Sequence, residues 1–180
     1  IDITKQGGMV LWMLDSRSVE TENLTVEEAV SAGMEFLQYH GYSGMKESYY
    51  EKTGSSVTIN YAYVGQGITM YSDLIKVKVA LDDGSIVGFE SRGYIMSHKE
   101  REIPAVEISE TEVRSQINSH LNINQIKLAM IPLESKREVL CYECRGDFNG
   151  QNYLIYINAV TGKEEKILLL LESEEGVLTM

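Results

Sequence analysis

Cys141 and Cys144 form a C-x-x-C, the spacing of a redox pair or of half a zinc site. Either chemistry needs both sulfurs on one side, as at a helix start or a tight turn. The surrounding run, Val139-Leu140-Cys141-Tyr142-Glu143-Cys144, reads instead as a β-strand. Residues three apart on a strand point to opposite faces, so the sulfurs diverge. No second C-x-x-C or histidine pair completes a zinc site. Two packed thiols, not bonded to each other, are expected.

The three histidines are His40, His98 and His120. His40 and His120 fall near the ends of expected helices, where partial negative charge favours imidazolium. There is no H-E-x-x-H, G-x-S-x-G or phosphate-binding loop. Carboxylates are plentiful, but none is marked as a glycosidase pair, which needs two roughly 5 to 9.5 Å apart across a cleft. Glu164-Glu165 and Glu172, Glu174 and Glu175 read as solvated faces. No catalytic, metal-binding or cofactor-binding residue is expected, and the chain reads as a non-enzyme.

Eleven tyrosines stand against one tryptophan and three phenylalanines, a skew to be weighed between core packing and partner contact. Tyrosine contributes area and a hydroxyl at little entropic cost, which suits interfaces. Tyr49-Tyr50 and Tyr61-x-Tyr63 sit on neighbouring expected strands. Tyr61 and Tyr63 share a face, and Tyr49 or Tyr50 could pair across from them. Half-buried core packing is the competing reading. Tyr71, beside Gly65-Gln66-Gly67, is expected to be the most exposed tyrosine. With Trp12, these five tyrosines form the candidate partner-binding set.

The elements that hold these residues occur twice. Val77-Lys78-Val79-Ala80-Leu81-Asp82-Asp83-Gly84 and Ile155-Tyr156-Ile157-Asn158-Ala159-Val160-Thr161-Gly162 match in apolar spacing up to the glycine. Upstream of each lies a capped helix. Thr25 with Glu28, and Ser109 with Glu112, form capping boxes. Val26, Val30, Gly33 and Leu37 make one apolar stripe, and Val113, Ile117 and Leu121 the other. Strands are expected over 45–52, 57–64, 74–81 and 86–91 in the first copy. Those of the second are 126–131, 138–144, 151–159 and 164–171, with a short candidate at 176–180. Ile75, Val77, Val79 and Leu81 alternate with Lys76 and Lys78, the pattern of a half-buried antiparallel strand.

Such duplication predicts an α+β fold of tandem units, each an antiparallel sheet packed on one helix. Residues 1–22 read as the terminal hairpin of a truncated earlier unit, 23–96 and 105–180 as full units, and the charged 97–104 as a linker. Trp12, in the truncated part, is expected to be exposed. Without an initiator methionine or leader, the chain is expected to be a fragment with any anchor upstream.

A net charge of −11 and a pI near 4.7 oppose binding to nucleic acid or an anionic membrane, both of which call for clustered Lys and Arg. No apolar run approaches the roughly 20 residues that span a bilayer.

Strand, turn and strand around Leu81-Asp82-Asp83-Gly84 and Ala159-Val160-Thr161-Gly162 resemble the ending of a PepSY domain. Four ordered segments carry a broader likeness: 10–15, 73–82, 138–144 and 153–159. They resemble the C-terminal part of the YpeB family of spore germination proteins, with Cys144 standing where an aromatic is expected. The resemblance implies an endospore protein on the outer side of the inner spore membrane or in the cortex, held by an upstream membrane anchor. It implies as partner a spore cortex-lytic hydrolase of SleB type, stabilised and restrained until germination. A PepSY-type inhibitor of a secreted peptidase and a cell-wall glycan-binding module are the alternatives. Self-association is left open.

Overall fold

The computed structural model describes residues 1–135, 137–173 and 176–179. A short hairpin, β1 (Asp2–Ile3) and β2 (Val10–Leu14), precedes the first helix, α1 (Val26–Tyr39). The Thr25 hydroxyl accepts from the Glu28 N–H at 3.2 Å, while a Glu28 carboxylate oxygen accepts from the Thr25 N–H at 2.8 Å. This reciprocal cap satisfies two donors and contributes about 1 kcal/mol. Ala29, Gly33 and Leu37, four apart, are the buried stripe. Gly41 at φ +83° breaks the helix, a conformation costly for any residue with a Cβ.

The first sheet follows as a meander: β3 (Met45–Thr53), β4 (Ser56–Gly65), β5 (Ile68–Ala80) and β6 (Ile86–Glu90). Ile75, Val77 and Val79 are fully buried against α1, as their alternation requires. A short helix, α2 (Arg92–Ser97), was not expected from sequence. It lacks a side-chain cap, because the Ser91 hydroxyl donates to the Val10 carbonyl instead. Close packing forms it: a Cβ at Gly93 would come within 2.8 Å of the Leu74 carbonyl oxygen.

The second helix expected from sequence, α3 (Glu110–Gln116), has its capping box but ends early. Ile117 turns extended (ψ 141°), and the Asn118 side chain accepts from the His120 N–H at 3.0 Å. That local turn competes with further helix. His120 therefore lies beyond the helix rather than at its end, a correction to its expected role. His40 does cap α1.

The second sheet comprises β7 (Asn122–Pro132), β8 (Glu138–Phe148), β9 (Gln151–Asn158), β10 (Glu164–Ser173) and β11 (Gly176–Thr179). Glu174, Glu175, Met180 and the side chain of Glu172 lie outside the described residues. The architecture is α+β, dominated by antiparallel pairing, with α1 and α3 packed on the two sheets.

The two copies repeat in detail. Gly84 and Gly162 both adopt positive φ, and their N–H groups bond back to Ala80 and Asn158. The Leu81 carbonyl accepts from the N–H groups of Asn23 and Leu24. Ala159, its counterpart, accepts from Glu107 and Ile108. Each hairpin thus anchors the entry to its own helix. Tyrosine hydroxyls repeat the theme: Tyr61 donates to the Val30 carbonyl at 2.7 Å and Tyr142 to the Ile108 carbonyl at 2.9 Å.

The sheets are joined at both sides. Gly176 of β11 pairs with Glu51 of β3, and Thr69 and Met70 of β5 pair in parallel with Ala129 and Met130 of β7. Strands β5, β4, β3, β11, β10, β9, β8 and β7 therefore close a ring, with β6, β2 and β1 as a flange. The helices cover the outside of the ring.

Candidate functional site

The sequence between α2 and α3 is charged, yet its central arginine is buried. The Arg101 side chain is 6% exposed and forks onto two carboxylates. Its Nη2 and Nη1 donate to Asp73 at 2.6 and 2.9 Å, and its Nε and Nη2 donate to Glu138 at 2.9 Å each. Asp73 belongs to β5 of the first sheet and is fully buried; Glu138 begins β8 of the second. One guanidinium thus joins both halves through paired two-bond contacts, the strongest geometry available to it. His98 completes the cluster, with Nδ1 2.8 Å from Asp73. Its ring stacks on Tyr94 at 4.2 Å and meets the edge of Tyr63 at 4.6 Å.

Arg101 holds the Glu138 carboxyl below its usual range, against the opposing effect of partial burial. Both carboxylates are occupied by the guanidinium, so neither is placed as a base. The arrangement fastens one sheet to the other. Sequence reading missed it because charged residues ahead of a proline look like linker. Asp73, a lone acid in an apolar strand, was the available signal.

Inside the ring a second polar group is built on Glu143, whose side chain is 5% exposed. Lys127 Nζ lies 3.1 Å away, and the Tyr156 hydroxyl donates to it at 3.0 Å. Burial first, then the neighbouring Glu143 charge, pushes the Tyr71 and Tyr156 hydroxyls upward, so both stay protonated donors.

The two cysteines are free and fully buried. Cys144 faces α3 and Cys141 faces the ring interior, so the sulfurs diverge as the strand alternation requires. Burial pushes the Cys141 thiol up to about 12 and the Cys144 thiol up to about 11. Neither is a nucleophile at neutral pH. Among the described residues no group of three or more His, Cys, Asp or Glu is placed to hold a metal ion.

The candidate contact residues do not form one surface. Trp12 on β2 is 41% exposed and shares its hairpin with the exposed Leu14, Met9 and Ile3. Tyr61 is fully buried under α1, where it cannot touch a partner. Tyr50 packs at the margin of that core, and Tyr63 lies between the two cores. Tyr49 lines the ring interior. Across from Tyr49 and Tyr50 stand Asn60 and Ile59, because a bulge near Ser48 shifts the register. Tyr71, expected to be most exposed, is drawn into the ring because β5 starts at Ile68, ahead of the expected 74. The exposed tyrosine is Tyr39, at 88%.

Fold and fastening define a tandem sheet-and-helix scaffold, joined by strand pairing and by Arg101. Residues 1–104 match the family described as "YpeB sporulation, PepSY1 and PepSY2 domains", and 107–168 match "Peptidase propeptide and YPEB domain". The chain belongs to the YpeB sporulation family. It is 35% identical over 174 residues to the sporulation protein YpeB of Halalkalibacterium halodurans, and 34% identical over 179 residues to that of Bacillus subtilis. Each comparison covers 97% of this chain and 39% of the relative. The solved Bacillus megaterium YpeB C-terminal domain superposes with a TM-score of 0.86 at 31% identity, covering 94% of this chain and 76% of that one.

Proposed function

We propose that this chain is a non-enzymatic spore accessory that binds a cortex-lytic hydrolase of SleB type, stabilises it and restrains it until germination. The observation that carries this reading is membership of the YpeB sporulation family over residues 1–104. The side-chain chemistry agrees with it. Thiols are buried and protonated, and the junction acids, buried Asp73 and half-buried Glu138, are held by Arg101.

Action in this reading is thermodynamic and steric. A partner that binds only the folded hydrolase stabilises it by about 2.7 kcal/mol at a hundredfold excess over Kd. Covering the hydrolase cleft blocks the glycan. A specific interface needs roughly 1,600 Å² in total. The exposed Trp12 hairpin is the candidate anchor, since aromatic residues dominate interface energetics. The matched relatives extend well past the span of this chain. An anchor elsewhere in the protein holds it at the outer side of the inner spore membrane or in the cortex.

The test mixes purified chain with a cortex-lytic hydrolase, reading Kd by titration calorimetry, hydrolase Tm, and release of muramyl ends from cortex. Binding, a raised Tm and slowed release are expected. Release of muramyl ends by the chain alone would overturn the reading. The "Peptidase propeptide" description over 107–168 favours a second reading, inhibition of a secreted peptidase. Loss of peptidase activity, with no effect on the hydrolase, would select it.

A further inference from the structure

The ring encloses a cavity of about 370 Å³, partly open to solvent, that the fastening and the partner reading do not use. Its size lies in the range of small-molecule sites. Strands of both halves line it, from Ser48 and Tyr49 on β3 to Leu168 and Leu170 on β10. One wall is apolar: Leu74, Ile131, Leu154, Leu168 and Leu170. The rest is polar, and the charged groups among its described lining residues are Lys127, Arg145 and Lys166 with the carboxylate of Glu143. In a chain of net charge −11, three cations to one anion among the described lining residues is a local reversal of sign. Low-dielectric walls concentrate such a field.

Glu143 is already satisfied by Lys127 and Tyr156. Lys166 stands exposed near the rim and makes no ion pair among the described residues. The Tyr71 and Tyr156 hydroxyls remain neutral donors, so they add no negative charge. An apolar wall facing a cationic one selects a ligand with the same division.

We propose that the ring interior is a binding site for a small amphipathic anion, a carboxylate carried on an aromatic or short aliphatic body. The body lies on the leucine wall and the carboxylate faces Lys166 and its neighbours. Because the lining comes from both sheets, an occupant also braces the two halves against each other.

Calorimetric titration of the intact chain with three isosteres tests this: naphthalene-2-carboxylate, 2-naphthalenemethanol and 2-naphthylmethylammonium. The carboxylate is expected to bind at least tenfold more tightly than the ammonium, with the alcohol between. At a hundredfold excess over Kd it raises Tm by about 7 °C. Lys166→Glu, at an exposed position, is expected to weaken carboxylate binding about tenfold; Lys5→Glu, on the distant hairpin, leaves it unchanged. Glu143→Gln, which removes the opposing charge, is expected to tighten it. Equal affinity for the three isosteres, no binding of the carboxylate at about 10 mM, or indifference to Lys166→Glu would each overturn the proposal. None of these results bears on hydrolase binding, which is read on a different surface.

Discussion

Replacing Arg101 by alanine removes four hydrogen bonds to two carboxylates and, among the described residues, leaves His98 as the remaining side-chain partner of the buried Asp73. Asp73 has no solvent exposure with which to recover hydration. Breaking such a buried pair from one side costs about 3–5 kcal/mol, because an uncompensated charge remains. For 180 residues, an unfolding entropy near 2.1 cal/mol/K per residue converts this to a Tm loss of about 8–13 °C. Circular dichroism melts of Arg101→Ala, Asp73→Asn and the double variant measure it. The double variant is expected to be less damaged than the sum of the singles, with a coupling of about 1–3 kcal/mol. Arg101→Lys recovers only part, since an ammonium cannot fork onto both acids. Raising salt to about 1 M leaves the deficit in place, because a buried pair is weakly screened. A loss under about 3 °C, or strict additivity of the two singles, would refute the reasoning.

Other predictions concern single positions. Gly33→Ala destabilises the fold although alanine is the better helix former by about 1 kcal/mol, because its methyl would collide with the Tyr61 hydroxyl and ring; a Tm increase would contradict this. Cys141 and Cys144 resist a thiol reagent at pH 8 and react together on unfolding, which a timed labelling measured by mass would reveal. Glu138 has a lowered folded pKa, so its contribution is complete above the unfolded carboxyl range and is lost as pH falls through the folded value. Urea melts of Glu138→Gln should therefore show a shallower acid-side fall in stability than the unaltered chain.

Much of the scaffold was legible in the sequence, for local reasons. Both capping boxes, the alternation of Ile75, Val77 and Val79, and the two hairpin glycines are short-range signals, and each formed as expected. The divergence of Cys141 and Cys144 followed from strand period alone. What escaped was non-local. The strand β5 begins early because its first residues bond to β7, some 60 positions on, and that burial took Tyr71 inward. Arg101 reads as solvated until two partners 28 and 37 residues away close on it. Tyr61 shares its residue type with surface anchors, and only the glycine beneath it, Gly33, hints that helix and ring interlock. The end of α3 turned on a single asparagine competing for the backbone.

Ring closure has a bearing on how this chain tolerates crowding. A strand with unbonded amides along one side is a template on which another molecule can add. Here both sheets spend most of such margins on each other, and the flange ends in β1, only two residues long. So short a border offers little purchase for strand-to-strand stacking. Molecules packed together for long periods thus have few places at which to begin a fibril.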